Sequence, residues 1–165
     1  MVFEAAKIVE KSLPNVVFVI YGQGKLETSL KQYESELELG KNFNLLGYTS
    51  SPHDKLAGLD VLILVSSYEG MPVVLMEGAC LGLPVIAARS PGIAEMFKDS
   101  EVYYCKELTA ASIAQAINDL CSDTELSSQK RSALSFHISK RKDEFNVDHF
   151  VEKLVFTYQR LLSKD

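Results

Sequence analysis

Glu69 and Glu77 bracket the segment Gly70-Met71-Pro72-Val73, and the run Val61–Val65 with Ser66-Ser67-Tyr68 leads into them. An apolar strand, a small polar loop with a glycine and a helix start make an anion-binding geometry. The free N–H groups of a first helical turn and the helix dipole both favour a phosphate there. Pro72 has no N–H, so the donors are among Gly70, Met71, Val73 and Val74. A carboxylate just ahead of the helix, Glu69, suits the hydroxyls of a sugar rather than a phosphate. Glu77 falls about two turns into the helix, where it can take vicinal hydroxyls such as those of a ribose. The spacing thus sets a sugar at one end, a diphosphate in the middle and a nucleoside at the other. Alone, two glutamates so spaced are usually solvated, and a strand-to-helix glycine often serves close packing.

Alternating helices and strands must position this segment. Val2–Ser12 carries Val2, Phe3, Ala6 and Val9 at helical spacing and ends before Pro14. Val16–Tyr21 reads as a buried strand, turned by Gly22-Gln23-Gly24. Lys25–Leu39 reads as an exposed helix that Gly40 ends, followed by a short strand over Phe43–Gly47. A helical turn opens at Ser50-Ser51-Pro52, with Pro in a first turn. After the strand Val61–Val65, Pro72–Leu81 reads as a helix stopped by Gly82 and Pro84. The rest predicts a strand over Leu83–Ala88, a short helix over Ile93–Phe97 and a strand over Val102–Cys105. Helices follow over Thr109–Leu120, Glu125–Lys140 and Val147–Leu162.

Continuous apolar strands alternating with helices predict a doubly wound, Rossmann-like α/β domain around a parallel sheet. Its ligand site lies at the carboxyl ends of the strands. One domain over 1–165 fits the length, which suffices for a core without staples. A net charge of −5 argues against non-specific capture of nucleic acid. Cys80, Cys105 and Cys121 are scattered, with no C-x-x-C, which argues against a disulfide framework or a zinc site and for a reducing compartment. The apolar runs fall far short of the roughly 18–20 residues of a membrane span, and Met1–Lys11 has no signal-peptide profile. These features predict a cytoplasmic protein, peripheral at the inner membrane face at most. A dinucleotide-dependent oxidoreductase would share the sheet, but Gly22-Gln23-Gly24 lacks the third glycine of G-x-G-x-x-G.

The stretch from Gly47 to Glu95 resembles the family-4 retaining glycosyltransferases, which have the GT-B fold. Several motifs carry the resemblance, in order: Gly47-Tyr48, then Leu56-Ala57-Gly58-Leu59-Asp60-Val61, then Ser67-Tyr68-Glu69-Gly70-Met71-Pro72. Leu75-Met76-Glu77-Gly78-Ala79-Cys80-Leu81-Gly82-Leu83-Pro84-Val85-Ile86-Ala87 and Gly92-Ile93-Ala94-Glu95 follow. Glu69 and Glu77 match the family's E-x7-E pair, and Gly22-Gln23-Gly24 matches a glycine turn nearer the start. The resemblance implies that Glu69 holds the hydroxyls of a donor sugar and acts in catalysis, and that Glu77 holds the ribose. It implies that backbone around Gly70, Met71 and Val73 meets the diphosphate, that Gly22 and Gly24 line the cleft, and that Tyr48 and Thr49 lie near the base. The nucleotide sugar is a co-substrate; neither a cofactor nor a metal is implied.

The chain also departs from that family. The first strand of the second GT-B domain, of the form GRLxxxKG, has no counterpart here. Its Arg and Lys neutralise the donor diphosphate, and electrostatic stabilisation of a leaving group is usually a large term. The acceptor domain has no counterpart either, and His53, His137 and His149 do not match its histidine; they read as surface residues. The resemblance therefore predicts the donor-binding half of a GT-B enzyme with its central strand missing, and leaves room for an upstream half-protein that supplies strand and acceptor domain. Membrane association would come only through the acceptor. The competing expectation is a non-catalytic module that binds a nucleotide sugar or a partner. Gly78 stands where the family prefers Ala, a cost of up to ~1 kcal/mol in a helix. Arg89 could restore some positive charge, and Arg89-Ser90-Pro91 puts Pro91 where the family has a further glycine.

Overall fold

The computed structural model describes residues 1–141 and 146–163. Its elements run α1 (Val2–Ser12), β1 (Phe18–Tyr21), α2 (Glu27–Glu36), β2 (Phe43–Gly47), α3 (Pro52–Leu56), β3 (Leu62–Leu64) and α4 (Val73–Cys80). They continue through β4 (Val85–Ala87), α5 (Pro91–Met96), β5 (Tyr103–Tyr104), α6 (Ala110–Ser122), α7 (Thr124–Arg141) and α8 (Val147–Leu162). The alternation is the doubly wound α/β order, and every strand pair is parallel.

The sheet is divided. β1 pairs with β2, and β3-β4-β5 form a second sheet in that order. The two parts match the 3-2 and 4-5-6 portions of the doubly wound order. Among the described residues no ladder joins β1 to β3. Helices cover both faces. Because strand side chains alternate, Ile63 and Ile86 pack with α1 and α6 around Ala5, Val9, Ile113 and Ile117. Leu62, Leu64, Val85 and Ala87 pack the other way, against Leu75, Ala79, Ile93, Leu134 and Ile138 of α4, α5 and α7. Ile20, Leu45 and Ile63 share the first of these cores, so both sheet parts sit under the same helical layer. Phe3 joins α1 to β2 through a ring contact of 4.6 Å with Phe43. A fully buried Leu, Ile or Val contributes about 1.5–3 kcal/mol, and Leu75, Ile86, Ile93 and Ile113 are all fully buried.

Three expectations change. The helix predicted over Lys25–Leu39 spans only Glu27–Glu36, and Glu38, not Gly40, takes the left-handed conformation with φ 50°. The Lys7 ammonium bonds the Glu38 carbonyl at 2.9 Å and holds that turn. β3, β4 and β5 are shorter than their apolar runs, because only the centres of those runs pair, and β1 begins two residues late, at Phe18. Gly78 is also more than a weak helix residue: an added Cβ would lie 2.5 Å from Leu62 Cδ2. The missing side chain lets α4 lie close on β3. Gly82 stops α4 as expected, with φ +74° and Leu83 N–H bonded back to Gly78 O at 2.9 Å.

α8 has the predicted bounds, capped by Asn146 Oδ1, which accepts from the N–H groups of Asp148 and His149. None of its residues is buried: Phe150, Leu154, Tyr158 and Leu161 form part of an uncovered apolar row. Among the described residues no helix is long and apolar enough to cross a membrane.

Candidate functional site

The loop between β3 and α4 carries the candidate residues where the strand–loop–helix order puts them. Glu69 is half-buried; Gly70, Met71 and Val73 are exposed; Pro72 is buried and anchors the start of α4. Glu77 lies on α4, one turn beyond Val73, and is half-buried. Leu75 and Ala79 of the same helix are fully buried and fix its rotation on the sheet. Leu75 N–H turns back to Pro72 O at 3.0 Å, so the first-turn donors that a helix start leaves to an anion are those of Val73 and Val74.

A second set of candidates lies after β1 and β2. Gly22 N–H donates to Gly47 O at 2.8 Å, which ties the Gly22-Gln23-Gly24 turn to the segment leading into Tyr48 and Thr49. Gly47 takes φ +69° where β2 ends, a conformation that favours glycine. The Thr49 hydroxyl accepts from Ser51 N–H at 3.2 Å, and Tyr48 is exposed. So the structure brings Gly22 together with the Gly47–Thr49 turn, and Glu69 together with Gly70, Met71 and Val73. Each group lies at the carboxyl end of its own part of the sheet. Two concavities lie elsewhere. One of about 560 Å³ follows the outer side of α7 at Ser132, Ser135 and Phe136. The other, about 680 Å³, lies beside β5. Arg89 lines the second, and neither is lined by Glu69, Glu77 or the glycine turns.

Gly92, at the start of α5, packs directly on the β3–α4 loop. An added Cβ would lie 2.7 Å from the carbonyl carbon of Gly70, and nearer still to the carbonyl oxygens of Gly70 and Glu69. Real Cβ atoms essentially never come within 3.0 Å of such atoms. The motif Gly92-Ile93-Ala94-Glu95 was the only trace of this contact in the chain. α5 itself is firmly held: Ile93 is fully buried, and Tyr104 Oη donates to the carbonyl oxygens of Phe97 and Ile93. Burial pushes the Tyr104 phenol up to about 12.

Arg89 does not supply a free cation. It bonds Asp99 Oδ2 at 2.6 Å and stacks over the Tyr104 ring at 4.0 Å. The hydrogen bond to Asp99 raises the pKa of Arg89 and lowers that of the aspartate. His137 is not a surface residue. Its Nδ1 lies 2.6 Å from Oε1 of the buried Glu101, and Arg141 reaches its Nε2 at 3.2 Å. Most other polar residues of α7 face solvent, with Lys130, which bonds Val102 O at 3.0 Å, a further exception. His53 and His149 are exposed, as expected. Among the described residues no cluster of His, Cys, Asp or Glu is arranged to hold a metal ion.

The family model for glycosyl transferases group 1 matches residues 1–134. The chain is 41% identical over 92 residues to the Escherichia coli UDP-Gal:alpha-D-GlcNAc-diphosphoundecaprenol alpha-1,3-galactosyltransferase, which covers 54% of this chain and 24% of that relative. It superposes on the Anabaena HepE protein, solved in complex with UDP-glucose, with a TM-score of 0.81 at 21% identity, over 96% of this chain and 44% of that one. It also superposes on the C-terminal domain of a glycosyl transferase group 1 protein from Francisella tularensis. There the TM-score is 0.73 at 21% identity, over 85% of this chain and 76% of that one. The chain spans from about a fifth to two-fifths of the length of the first curated relatives it matches.

Proposed function

The chain belongs to the group 1 glycosyl transferases, and from that premise we propose that it is the donor-binding half of a retaining enzyme. In this reading it holds a nucleotide sugar while the acceptor hydroxyl attacks the anomeric carbon on the face from which the nucleoside diphosphate leaves. One observation supports it: the loop from β3 into α4 carries Glu69 and leads through the start of α4 to Glu77, on a fold that superposes on a protein solved with UDP-glucose.

Each residue then has a task. Glu69 accepts hydrogen bonds from the sugar hydroxyls and acts in catalysis. N–H groups of Gly70, Met71 and Val73 take the diphosphate, where dipole and unpaired donors add. Glu77 takes the ribose hydroxyls. Gly22 and Gly24 line the opposite wall, and Tyr48 and Thr49 lie beside the base. Arg89 is engaged with Asp99, so the leaving diphosphate needs cations from elsewhere. The same need for a second body arises at the sheet, where among the described residues no ladder joins β1 to β3. We assign both to an upstream half that supplies the acceptor site and the strand between β1 and β3. The reading is of a cytoplasmic protein that meets the inner membrane face only through its acceptor. The E. coli relative is named for a diphosphoundecaprenol-linked acceptor.

The test is calorimetric titration of the 165-residue chain with UDP-, GDP- and ADP-sugars. Binding of one nucleotide class, tighter with the sugar than without, is the expected result. No binding to any of them, by this chain or by the chain joined to its upstream half, would rule the reading out.

A further inference from the structure

We propose that Gly92 is a positioning residue for the donor loop: its bare backbone is the surface on which the Glu69–Gly70 peptide rests, and this sets the direction of Glu69 and of the Gly70 and Met71 N–H groups. The inference rests on the role given to that loop above.

The geometry leaves no room for a side chain. A Cβ on Gly92 would overlap the carbonyl groups of Glu69 and Gly70, which are backbone atoms with no flexible end to swing aside. At Gly78 the intruding neighbour is the tip of the Leu62 side chain, which can turn away. When Gly92 is enlarged, either α5 or the loop must give. α5 is the stiffer of the two. Ile93 is fully buried, Met96 and the following Phe97 are buried, and Tyr104 holds the carbonyl oxygens of Ile93 and of Phe97 just past the helix. Ala94 N–H donates to Ser90 O at 2.9 Å and closes the first turn. The loop is softer: Gly70 is exposed, and a Cβ built on it would meet nothing within 4 Å. Enlarging Gly92 therefore displaces Glu69 and Gly70. Glu77 stays in place, because α4 is held from the far side by Leu75 and Ala79. A displacement on the order of 1 Å is enough to spoil reacting geometry.

This assigns Gly92 a split effect that a merely structural glycine would not have. Contacts made by the loop should weaken while the contact made by Glu77 persists. Gly92→Ala is measured beside Gly78→Ala in the 165-residue chain, first without ligand. In Gly92→Ala the backbone amide resonances of Gly70 and Met71 should move while those of Val74 and Leu75 stay. In Gly78→Ala the Gly70 and Met71 resonances should stay. Calorimetry then compares UDP with UDP-glucose: Gly92→Ala should abolish about tenfold of whatever gain the sugar gives. If Gly92→Ala folds and leaves the Gly70 and Met71 amides in place, the proposal is overturned. It is equally overturned if the loop moves while a wild-type gain from the sugar is kept in full. Wild-type protein that binds neither UDP nor UDP-glucose counts against the functional reading, and the ligand-free spectra still decide whether Gly92 sets the loop. If Gly92→Ala does not fold, Tyr104→Phe loosens α5 without touching Gly92. The Gly70 and Met71 amide resonances should then shift or broaden while those of Val74 and Leu75 stay, and unchanged Gly70 and Met71 resonances would overturn the proposal.

Discussion

The Tyr104 hydroxyl donates to the Phe97 carbonyl oxygen at 2.8 Å and to that of Ile93 at 3.1 Å. It thereby closes the end of α5 onto the edge strand β5. Ionised, the same oxygen would face two carbonyl oxygens with no proton to share. Burial is the main cause that holds its pKa near 12, against an ordinary value of 10.0. A group whose pKa is raised by folding contributes stability that is fully present below its unfolded value and is lost as pH rises through the folded one. The window is therefore about pH 10 to 12. We expect the wild-type melting temperature to fall more steeply across that range than that of Tyr104→Phe. At pH 7 the variant should be less stable by about 1 kcal/mol for its lost hydrogen bonds. Parallel alkaline curves for the two proteins would contradict this.

His137 and the buried Glu101 make a second clamp, between α7 and the turn that follows α5. Glu101 Oε2 accepts from Lys98 N–H at 2.8 Å, and Oε1 is left to His137. Because Arg141 donates to Nε2, the ring proton is assigned to Nδ1, where it can be given to the carboxylate. His137→Ala strips one oxygen of a buried carboxylate of its partner, which costs about 1–3 kcal/mol. His137→Gln keeps a donor in reach and should recover part of that loss. Chemical denaturation of the three proteins measures it, and a His137→Ala variant as stable as wild type would show that water replaces the imidazole at no cost.

These clamps show where reading the chain succeeds and where it stops. The bounds of α1, β2 and α8 follow from local signals: helical spacing ending before Pro14, an apolar run before Gly47, and a clean apolar stripe in α8. The divided sheet was legible through the resemblance alone, because the GRLxxxKG strand that stands between β1 and β3 in that family has no counterpart here. The position of Glu69, Gly70 and Met71 followed from the order of strand, loop and helix. The contact of Gly92 with Gly70 did not. A glycine acts there through the atoms it lacks, and absent atoms leave no periodicity. Glu101 and His137 lie 36 positions apart, and no spacing rule links them. Lys25–Leu39 was read too long, because the turn at Glu38 depends on Lys7 of another helix.

Glu69 and Glu77 should separate the two ends of a nucleotide sugar. With the ribose assigned to Glu77, Glu77→Ala should weaken UDP or GDP alone. With the hexose assigned to Glu69, Glu69→Ala should matter only when the sugar is attached. A hydrogen bond to a charged group contributes about 1.5–3 kcal/mol, an effect on the order of 10- to 100-fold in Kd. Both variants remove half-buried, solvent-reaching carboxylates, so their melting temperatures should stay close to wild type. Equal loss of nucleotide binding in the two variants would refute the assignment.

The facing edges of β1 and β3 predict how the chain behaves by itself. β1 is paired through β2 and β3 through β4, and among the described residues neither has a partner on its other side. Unpaired strand edges leave backbone groups unsatisfied and recruit other strands. The N–H groups of β1 and β3 that do not face β2 or β4 should exchange with solvent as fast as loop amides. The chain should also self-associate at high concentration. The uncovered apolar row of α8 is a rival source of association, and deletion separates the two. Removing residues 147–163 exposes no core, since α8 has no buried residue, so the melting temperature should hardly change. Sedimentation should then show that association persists without α8, because its source is the sheet. A shortened chain that stays monomeric at every concentration would move the cause from the strand edges to the helix.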